Sequence, residues 1–135
     1  MCYYCLKIKW KNTVIISSYA ALLALYYIYL SINVVKIRKA EGISLGNGSH
    51  PELERATRAH GNFIEYVPIS LILLFLLEYQ GLASHYMHAL GGLLFISRAL
   101  HGSAIRTNNL KARVLSMMMT FAILFVSSLI LLLSR

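Results

Sequence analysis

The sequence predicts an all-α integral membrane protein, an antiparallel bundle of four transmembrane helices. Apolar and aromatic residues make up 58% of its 135 residues and charged residues only 13%, which is about half the charged share of a typical soluble domain. A soluble chain this small would have too much surface to hide so many apolar side chains from water. At about 20 residues per membrane span, the chain has room for about four helices.

The charge balance of the chain is strongly basic. Thirteen Lys and Arg residues stand against five acidic residues, for a formal net charge of +8. In a soluble protein this excess would suggest nucleic-acid binding. Here the basic residues cluster at the ends of apolar runs, where topology signals and lipid headgroup contacts lie. We therefore expect membrane lipids as partners and no nucleic acid.

The first predicted helix covers residues 14–35, a long apolar run between two basic clusters. It is too long for the apolar core of a signal peptide and lacks a clear cleavage site, so we interpret it as a retained span. The second helix is predicted over 50–79. Ser49 and Glu52 resemble a capping box at its start, with Pro51 in the first turn.

The third and fourth helices are predicted over residues 85–105 and 113–133. Short polar connections join all four spans, so neighbouring helices should run antiparallel. We expect one membrane domain over residues 1–135.

The basic residues also predict an orientation in the membrane. The side with the first and third loops carries eight of them: Lys36, Arg38, Lys39, Arg55, Arg58, Arg106, Lys111 and Arg113. The other side carries four: Lys7, Lys9, Lys11 and Arg135. The positive-inside rule places the first and third loops in the cytoplasm and both termini outside.

Four polar residues form a stripe on the second helix. Arg55, Arg58, Asn62 and Glu65 are spaced by three, four and three residues, so they fall within an arc of about 80°. Such residues nearly always face the bundle or a watered cavity rather than lipid. We expect Glu65, inside the span, to matter more for stability than Glu78 at the membrane surface.

Further cationic residues follow on the later helices. Arg98 and His101 lie three residues apart on the third helix, and Arg113 begins the fourth. One interpretation is structural: Glu65 pairs with Arg98 or Arg58 and fixes helix packing. The other is a site open to the cytoplasm for a ligand that carries carboxylates and an ammonium group. From the residues alone, a small transporter with Arg98, His101 and Glu65 along its path is a third hypothesis.

The second helix resembles a known family signature. The stretch from Glu54 to Pro68 is similar to the E-R-x-x-R-A-H-x-N-x-x-E-x-x-P pattern of the MAPEG superfamily, the membrane-associated proteins in eicosanoid and glutathione metabolism. The pair Arg98 and His101 fits the third helix of that family. The chain is most similar to its small bacterial members, which resemble microsomal glutathione transferases.

This resemblance implies a homotrimer that binds glutathione between neighbouring subunits near the cytoplasmic face, in a bacterial inner membrane. Family members run transferase, peroxidase, or eicosanoid-forming reactions on hydrophobic small molecules. Carried over by position, one residue matches the arginine that stabilises the thiolate: Arg113. Four residues match glutathione contacts: Arg58, Asn62, Glu65 and His101. Three more are implied to serve structure or binding: Arg55, His60 and Arg98.

The chain departs from the family pattern at four positions. Gly61 and Phe63 replace a basic residue and an aspartate of glutathione-binding relatives, Ile105 replaces a tyrosine, and Val114 replaces a serine. Two functions therefore stay open: a glutathione-dependent transferase or peroxidase, and a glutathione- or lipid-binding protein without turnover.

The N-terminal segment contains the pair Cys2 and Cys5 as Cys-Tyr-Tyr-Cys. This spacing matches a redox or metal pair, but a metal site needs further ligands and a redox pair normally opens a helix in a folded domain. We expect an untied tail with incidental cysteines, and no metal.

Overall fold

The computed structural model describes residues 14–134, and these fold into four helices. They are α1 (Ile15–Glu41), α2 (Pro51–Tyr79), α3 (Ser84–Arg106) and α4 (Leu110–Leu133). The predicted four-helix, all-α fold class is confirmed. Cys2 and Cys5 lie outside the described residues, so the interpretation of that pair stays a prediction.

The four helices pack around a central pair. Helices α2 and α3 contact each other, and each also contacts both α1 and α4, whereas within residues 14–134 α1 and α4 do not meet. Because the connections are short, successive helices run antiparallel. We call the end of the bundle at which α1 and α3 finish and α2 and α4 begin the basic end.

The distribution of side chains is inverted relative to a soluble protein. Polar residues are enclosed by the bundle, among them Ser70, Ser97, Arg98, Ser116 and Thr120. Large apolar side chains cover the outside of α1, α2 and α4, among them Leu25, Ile72, Phe125 and Leu132. This arrangement is the one a bilayer favours, since hydrocarbon cannot satisfy a polar group.

Three of the helices, α1, α2 and α4, are long and apolar enough to cross a membrane. Helix α3 is less apolar because much of its surface faces protein: its buried face includes Gly91, Ser97, Arg98, His101 and Gly102. With 23 residues it is about 34 Å long, enough to cross a hydrocarbon layer of about 30 Å.

The ends of the helices differ in detail from the sequence expectations. Helix α1 continues past the apolar run to Glu41 and ends where Gly42 takes the left-handed conformation, with φ 65°, a common helix terminator. The expected capping box is wrong. His50, not Ser49, occupies the N-cap of α2, and no side chain caps that helix. Helix α4 begins earlier than predicted because the Asn109 side chain accepts a hydrogen bond from Ala112 N at 3.1 Å.

Glu78 has a structural role that its surface position did not suggest. Its carboxylate accepts hydrogen bonds from the backbone N–H groups of Ile15 and, at 3.1 Å, of Ile16. These donors lie at the start of α1, where backbone N–H groups have no partner within the helix. The Glu78 carboxylate therefore joins the end of α2 to the start of α1, and the comparison of Glu65 with Glu78 in stability stays a prediction.

Two glycines of α3 make room for tyrosines of α1. A Cβ atom built on Gly91 would lie 2.5 Å from Cδ2 of Tyr19, and one built on Gly102 would overlap the Tyr26 hydroxyl. Glycine at these positions lets the α1 rings lie directly on the α3 backbone, a form of close helix contact common in membrane proteins.

We predict that Gly91→Ala destabilises the bundle by about 1–3 kcal/mol, because the methyl group overpacks against Tyr19. Gly92→Ala is the matched control: a Cβ there meets nothing closer than the Tyr19 hydroxyl oxygen at 3.8 Å. Detergent-titrated unfolding of the two purified variants measures the difference. Equal stability of both would show that the Tyr19 contact does not constrain the packing.

Candidate functional site

A buried arginine connects three helices in the bundle. Arg98 on α3 is 2% exposed. Its Nη1 donates to Asn62 Oδ1 on α2 at 2.9 Å, and its Nη2 donates to Thr120 Oγ1 on α4. The guanidinium carbon also lies 5.8 Å from the centroid of the Tyr66 ring, within the range of a cation–π contact. Because buried charges need such partners, this network fixes α2, α3 and α4 relative to one another.

His101 lies one turn further along α3, closer to the basic end. Its Nδ1 is 3.0 Å from Ser116 Oγ, and that hydroxyl donates to the Arg113 carbonyl at 2.8 Å. Since the hydroxyl has one proton, it accepts from His101 Nδ1–H. The other ring nitrogen, Nε2, is buried and has no hydrogen-bond partner within the described residues. It is therefore an unsatisfied acceptor inside the bundle, and His101 does not line the cleft that opens at the basic end between α2, α3 and the start of α4.

The ion pair proposed between Glu65 and either Arg98 or Arg58 does not form among residues 14–134. In the described part of the chain, the carboxylate nearest to Arg58 is Glu54 at 4.0 Å, and Arg98 has no carboxylate within that distance. The polar partner of Arg98 on α2 is Asn62 instead. Glu65 points away from its own bundle and is exposed.

A cleft of about 450 Å³ opens at the basic end between α2, α3 and the start of α4. Three arginines line it: Arg55, Arg58 and Arg113. Its other walls include Glu54 and the apolar side chain of Ile105. We call this space the arginine cleft. Its volume lies within the usual range for small-molecule sites.

The start of α4 positions Arg113 at the cleft. The turn from α3 passes through Asn108 in the left-handed conformation, with φ 54°, and Asn109 then caps α4. Arg113 follows in the first turn and is exposed. The N-terminus of a helix carries a partial positive charge, so the backbone of α4 adds to the cationic character of this wall.

The structure brings some of the predicted site residues together and leaves others apart. Arg58 and Arg113 share the arginine cleft with Arg55. Asn62 and His101 belong to the enclosed network on the inner side of α2 and α3. His60 faces α1, where its Nε2 lies 3.1 Å from Ser31 Oγ and its ring stacks on Tyr27.

The four departures from the family pattern occupy different environments. Phe63 is buried and stacks on Tyr27, so it packs against α1. Ile105 lines the arginine cleft and Val114 is exposed. A Cβ on Gly61 would meet nothing within 4 Å. Only Ile105 therefore changes the wall of the cleft directly.

Sequence reasoning missed the hydroxyl groups that complete the network. Ser97 and Thr120 lie 3.2 Å apart by their side-chain oxygens, and Ser116 supports His101. The sequence of α4 contains a pattern that could have predicted these hydroxyl groups. The buried residues of this helix are Ser116, Thr120, Ile123 and Ser127. These are spaced by four, three and four residues, the pattern of one helix face.

Among the described residues no group of His, Cys, Asp and Glu could hold a metal ion.

The fold and the cleft define a class of protein: a helical integral membrane protein with a cationic cleft at one end of its bundle. The chain belongs to the MAPEG family, whose model matches residues 16–133. It is similar to the inner membrane protein YecN of Escherichia coli strain K12, with 36% identity over 83 residues, 62% of this chain and 63% of that relative. The YecN of Escherichia coli O6:H1 gives the same figures. The matched segment thus spans less than two thirds of these relatives.

We predict that Arg98→Ala destabilises the protein by roughly 2–5 kcal/mol, because it leaves a cavity and removes the donor to Asn62 and Thr120. Arg58→Ala is the control, since the Arg58 side chain is 74% exposed and its loss should cost at most about 0.5 kcal/mol. Unfolding of both variants in mixed micelles measures the contrast. A small effect of Arg98→Ala would mean that the buried network is not what holds α2, α3 and α4 together.

Proposed function

We propose that this protein is a glutathione-dependent membrane transferase or peroxidase that acts on hydrophobic electrophiles or lipid peroxides. The observation that carries the proposal is the meeting of Arg58 and Arg113 in one cleft, since they come from two different helices, α2 and α4. Family membership supports glutathione as co-substrate.

The charges of the arginine cleft suit glutathione. The peptide carries two carboxylates, one ammonium group and a thiol. Three guanidinium groups and Glu54 line the cleft, so cationic groups outnumber the single carboxylate. Arginine binds carboxylates well because its donors form a planar fork.

The length of the polar stripe on α2 also suits glutathione. Arg58 and Glu65 are seven residues apart, about 10 Å along the helix axis, and an extended tripeptide spans about the same distance. A peptide with its carboxylates at the arginines would bring its ammonium group toward Glu65. The predicted glutathione contact of His101 is a separate part of the proposal, because His101 is buried and does not line the arginine cleft, although its Nε2 has no hydrogen-bond partner within residues 14–134.

Glu65 motivates a second part of the proposal, a homotrimer with glutathione between subunits. Glu65 lies within the span of α2 but is exposed on the surface of the single bundle. An acidic side chain facing lipid is costly, about 2.5–3.5 kcal/mol or more at the centre of the membrane and less toward the headgroups. A neighbouring subunit laid over this face of α2 removes that cost and closes the outer side of the site.

The orientation proposed from the charge count places the basic end in the cytoplasm, where glutathione is available. The hydrophobic substrate then reaches the site laterally from the bilayer. The similarity to an inner membrane protein supports a bacterial inner membrane as the location.

The proposed chemistry rests on a thiolate. A free thiol has a pKa near 8.5 and is only slightly ionised at neutral pH, and a nearby cation lowers this pKa. Arg113 and the N-terminus of α4 would supply that positive charge. With an aryl halide, the sulfur forms a bond to the ring carbon, the carbon–halogen bond breaks, and halide leaves with the electron pair. With a peroxide, two glutathione molecules give the disulfide, an alcohol and water.

A binding protein without turnover is the second candidate. The presence of Ile105 in the wall of the arginine cleft favours it, because an apolar side chain cannot orient a thiol or a leaving group by hydrogen bonding. Turnover of a generic electrophile by the purified protein separates the two functions.

We predict that Arg113→Ala raises the pKa of the bound glutathione thiol by about one unit, which corresponds to about 1.4 kcal/mol. Reaction with a dinitroaryl halide should slow accordingly, while glutathione affinity falls less. Arg113→Lys should be intermediate, because the charge remains but the forked donors do not. The thiolate absorbance of bound glutathione, titrated with pH, gives the measurement.

The control for Arg113 is Lys111→Ala, which removes an equal charge from an exposed residue that does not line the arginine cleft. It should leave the titration unchanged. Identical thiolate titration curves for wild type and Arg113→Ala would show that Arg113 serves only to set the membrane topology. They would favour the binding protein without turnover.

We further predict that Glu65→Gln weakens glutathione binding about tenfold or more, because a charge-assisted hydrogen bond is worth about 1.5–3 kcal/mol. Glu41→Gln, at the same end of the bundle but paired with His50, should bind normally. Calorimetry on the purified protein measures the affinity, and native mass measurement gives the subunit count. Monomers or dimers alone in the wild type would refute the trimer.

A further inference from the structure

A second cleft lies at the basic end, on the other side of α2. It has a volume of about 130 Å³ and is formed by α1, α2 and α3, whereas the arginine cleft lies between α2, α3 and α4. Six polar side chains line it: Tyr26, Tyr29, Asn33, Glu52, Arg55 and Arg106. We call it the tyrosine cleft. It has room for roughly four waters, at about 30 Å³ each, or for one tetrahedral oxyanion.

The hydrogen-bond donors of the tyrosine cleft have few protein partners. Arg106 Nη1 donates to the Tyr29 hydroxyl oxygen, which leaves the proton of that hydroxyl available. Within residues 14–134, neither Arg55 nor Arg106 has a carboxylate within 4.0 Å, although Glu52 lines the same cleft. Two guanidinium groups, two phenols and an amide thus surround a space that holds a single carboxylate.

The backbone of α3 keeps this space open. Gly102 lines the cleft, and a Cβ there would overlap the Tyr26 hydroxyl. Ala56 and Ala59 form the α2 wall. Small residues at these three positions leave the polar ends of Tyr26 and Asn33 facing an open volume.

The charge and position of the tyrosine cleft indicate its ligand. Arg55 and Arg106 against Glu52 give a net charge of +1, which matches the single negative charge of a phosphodiester. The cleft opens where α3 ends and α2 begins, and the basic residues near this end mark the level of lipid headgroups. Beside Tyr29, the exposed side chains of Leu25, Ile28 and Ile32 form an apolar surface on α1.

We propose that the tyrosine cleft binds a singly charged phosphate group, supplied by the headgroup of a phospholipid. Arg55 and Arg106 bind the phosphate oxygens, as arginine does through its forked donors. The hydroxyls of Tyr26 and Tyr29 and the Asn33 amide donate further hydrogen bonds. The acyl chains lie against the apolar surface of α1. Arg55 lines both clefts, whereas Arg106, Tyr26, Tyr29 and Asn33 line the tyrosine cleft alone, so the proposal rests on these four residues and not on glutathione binding.

The test uses the full chain, purified in a phosphate-free detergent and examined by native mass measurement. Three probes are used: dioleoylphosphatidylglycerol, dioleoylglycerol with the same chains but no phosphate, and inorganic phosphate, which is added alone and in competition with phosphatidylglycerol. We expect one phosphatidylglycerol per subunit and no comparable binding of dioleoylglycerol. Competition by inorganic phosphate at similar concentration would support the phosphate site and assign it to soluble phosphate. Equal binding of dioleoylglycerol would overturn the proposal.

Three variants locate the binding. Arg106→Gln should weaken phosphatidylglycerol binding at least about tenfold, since it removes a charged donor. Asn33→Leu fills the cleft but keeps both arginines, and it should also weaken phosphatidylglycerol binding. If Arg106→Gln fails to fold, the result for Asn33→Leu decides the test. Lys111→Gln removes a charge outside the cleft and should change binding less than about twofold. Equal losses in Arg106→Gln and Lys111→Gln would overturn the proposal, as would normal binding by Asn33→Leu. Unchanged glutathione affinity in Asn33→Leu separates this result from the proposed function.

Discussion

A guanidinium group enclosed by helices, away from water, is the constraint on which the rest of this bundle depends. Arg98 is buried, and a charge in that position requires polar partners from its neighbours. Asn62 on α2 and Thr120 on α4 supply them. Because each partner comes from a different helix, the need to satisfy one side chain fixes three helices relative to one another, including the two that carry Arg58 and Arg113.

The interior network and the arginine cleft have different physical roles. The network is enclosed and its members bond mostly to one another, so it stabilises the bundle. The cleft arginines are exposed, and within residues 14–134 their one ion pair is the 4.0 Å contact of Arg58 with Glu54, so they are available to a ligand. Asn62 and His101 belong to the interior network through their contacts, whereas their positions in the family motif imply contacts with glutathione.

The fold could be predicted from sequence because apolar runs of membrane length leave few alternatives, and the resemblance on α2 identified the family. The hydrogen-bond partners of individual polar residues could not be predicted from the sequence. The sequence spacing placed Glu65 and Arg98 on neighbouring helices, but only the structure showed that the α2 partner of Arg98 is Asn62 and not Glu65. Glu78 looked like a surface residue because its two partners are backbone groups of α1, which no pattern of side chains reveals. The tyrosine cleft is lined by residues from three helices, so no pattern along the sequence predicted it.

The separation of α1 from α4 bears on how the chain assembles during synthesis. Helix α1 precedes the others, buries few residues and is largely apolar outside, so it can remain alone in lipid until α2 and α3 arrive. Helix α3 has no such freedom. It carries Arg98 and His101, whose partners Thr120 and Ser116 belong to α4, and α4 is made last. Asn62 on α2 can pair with Arg98 as soon as α3 is present, but the polar contacts of α3 are complete only once α4 is in place.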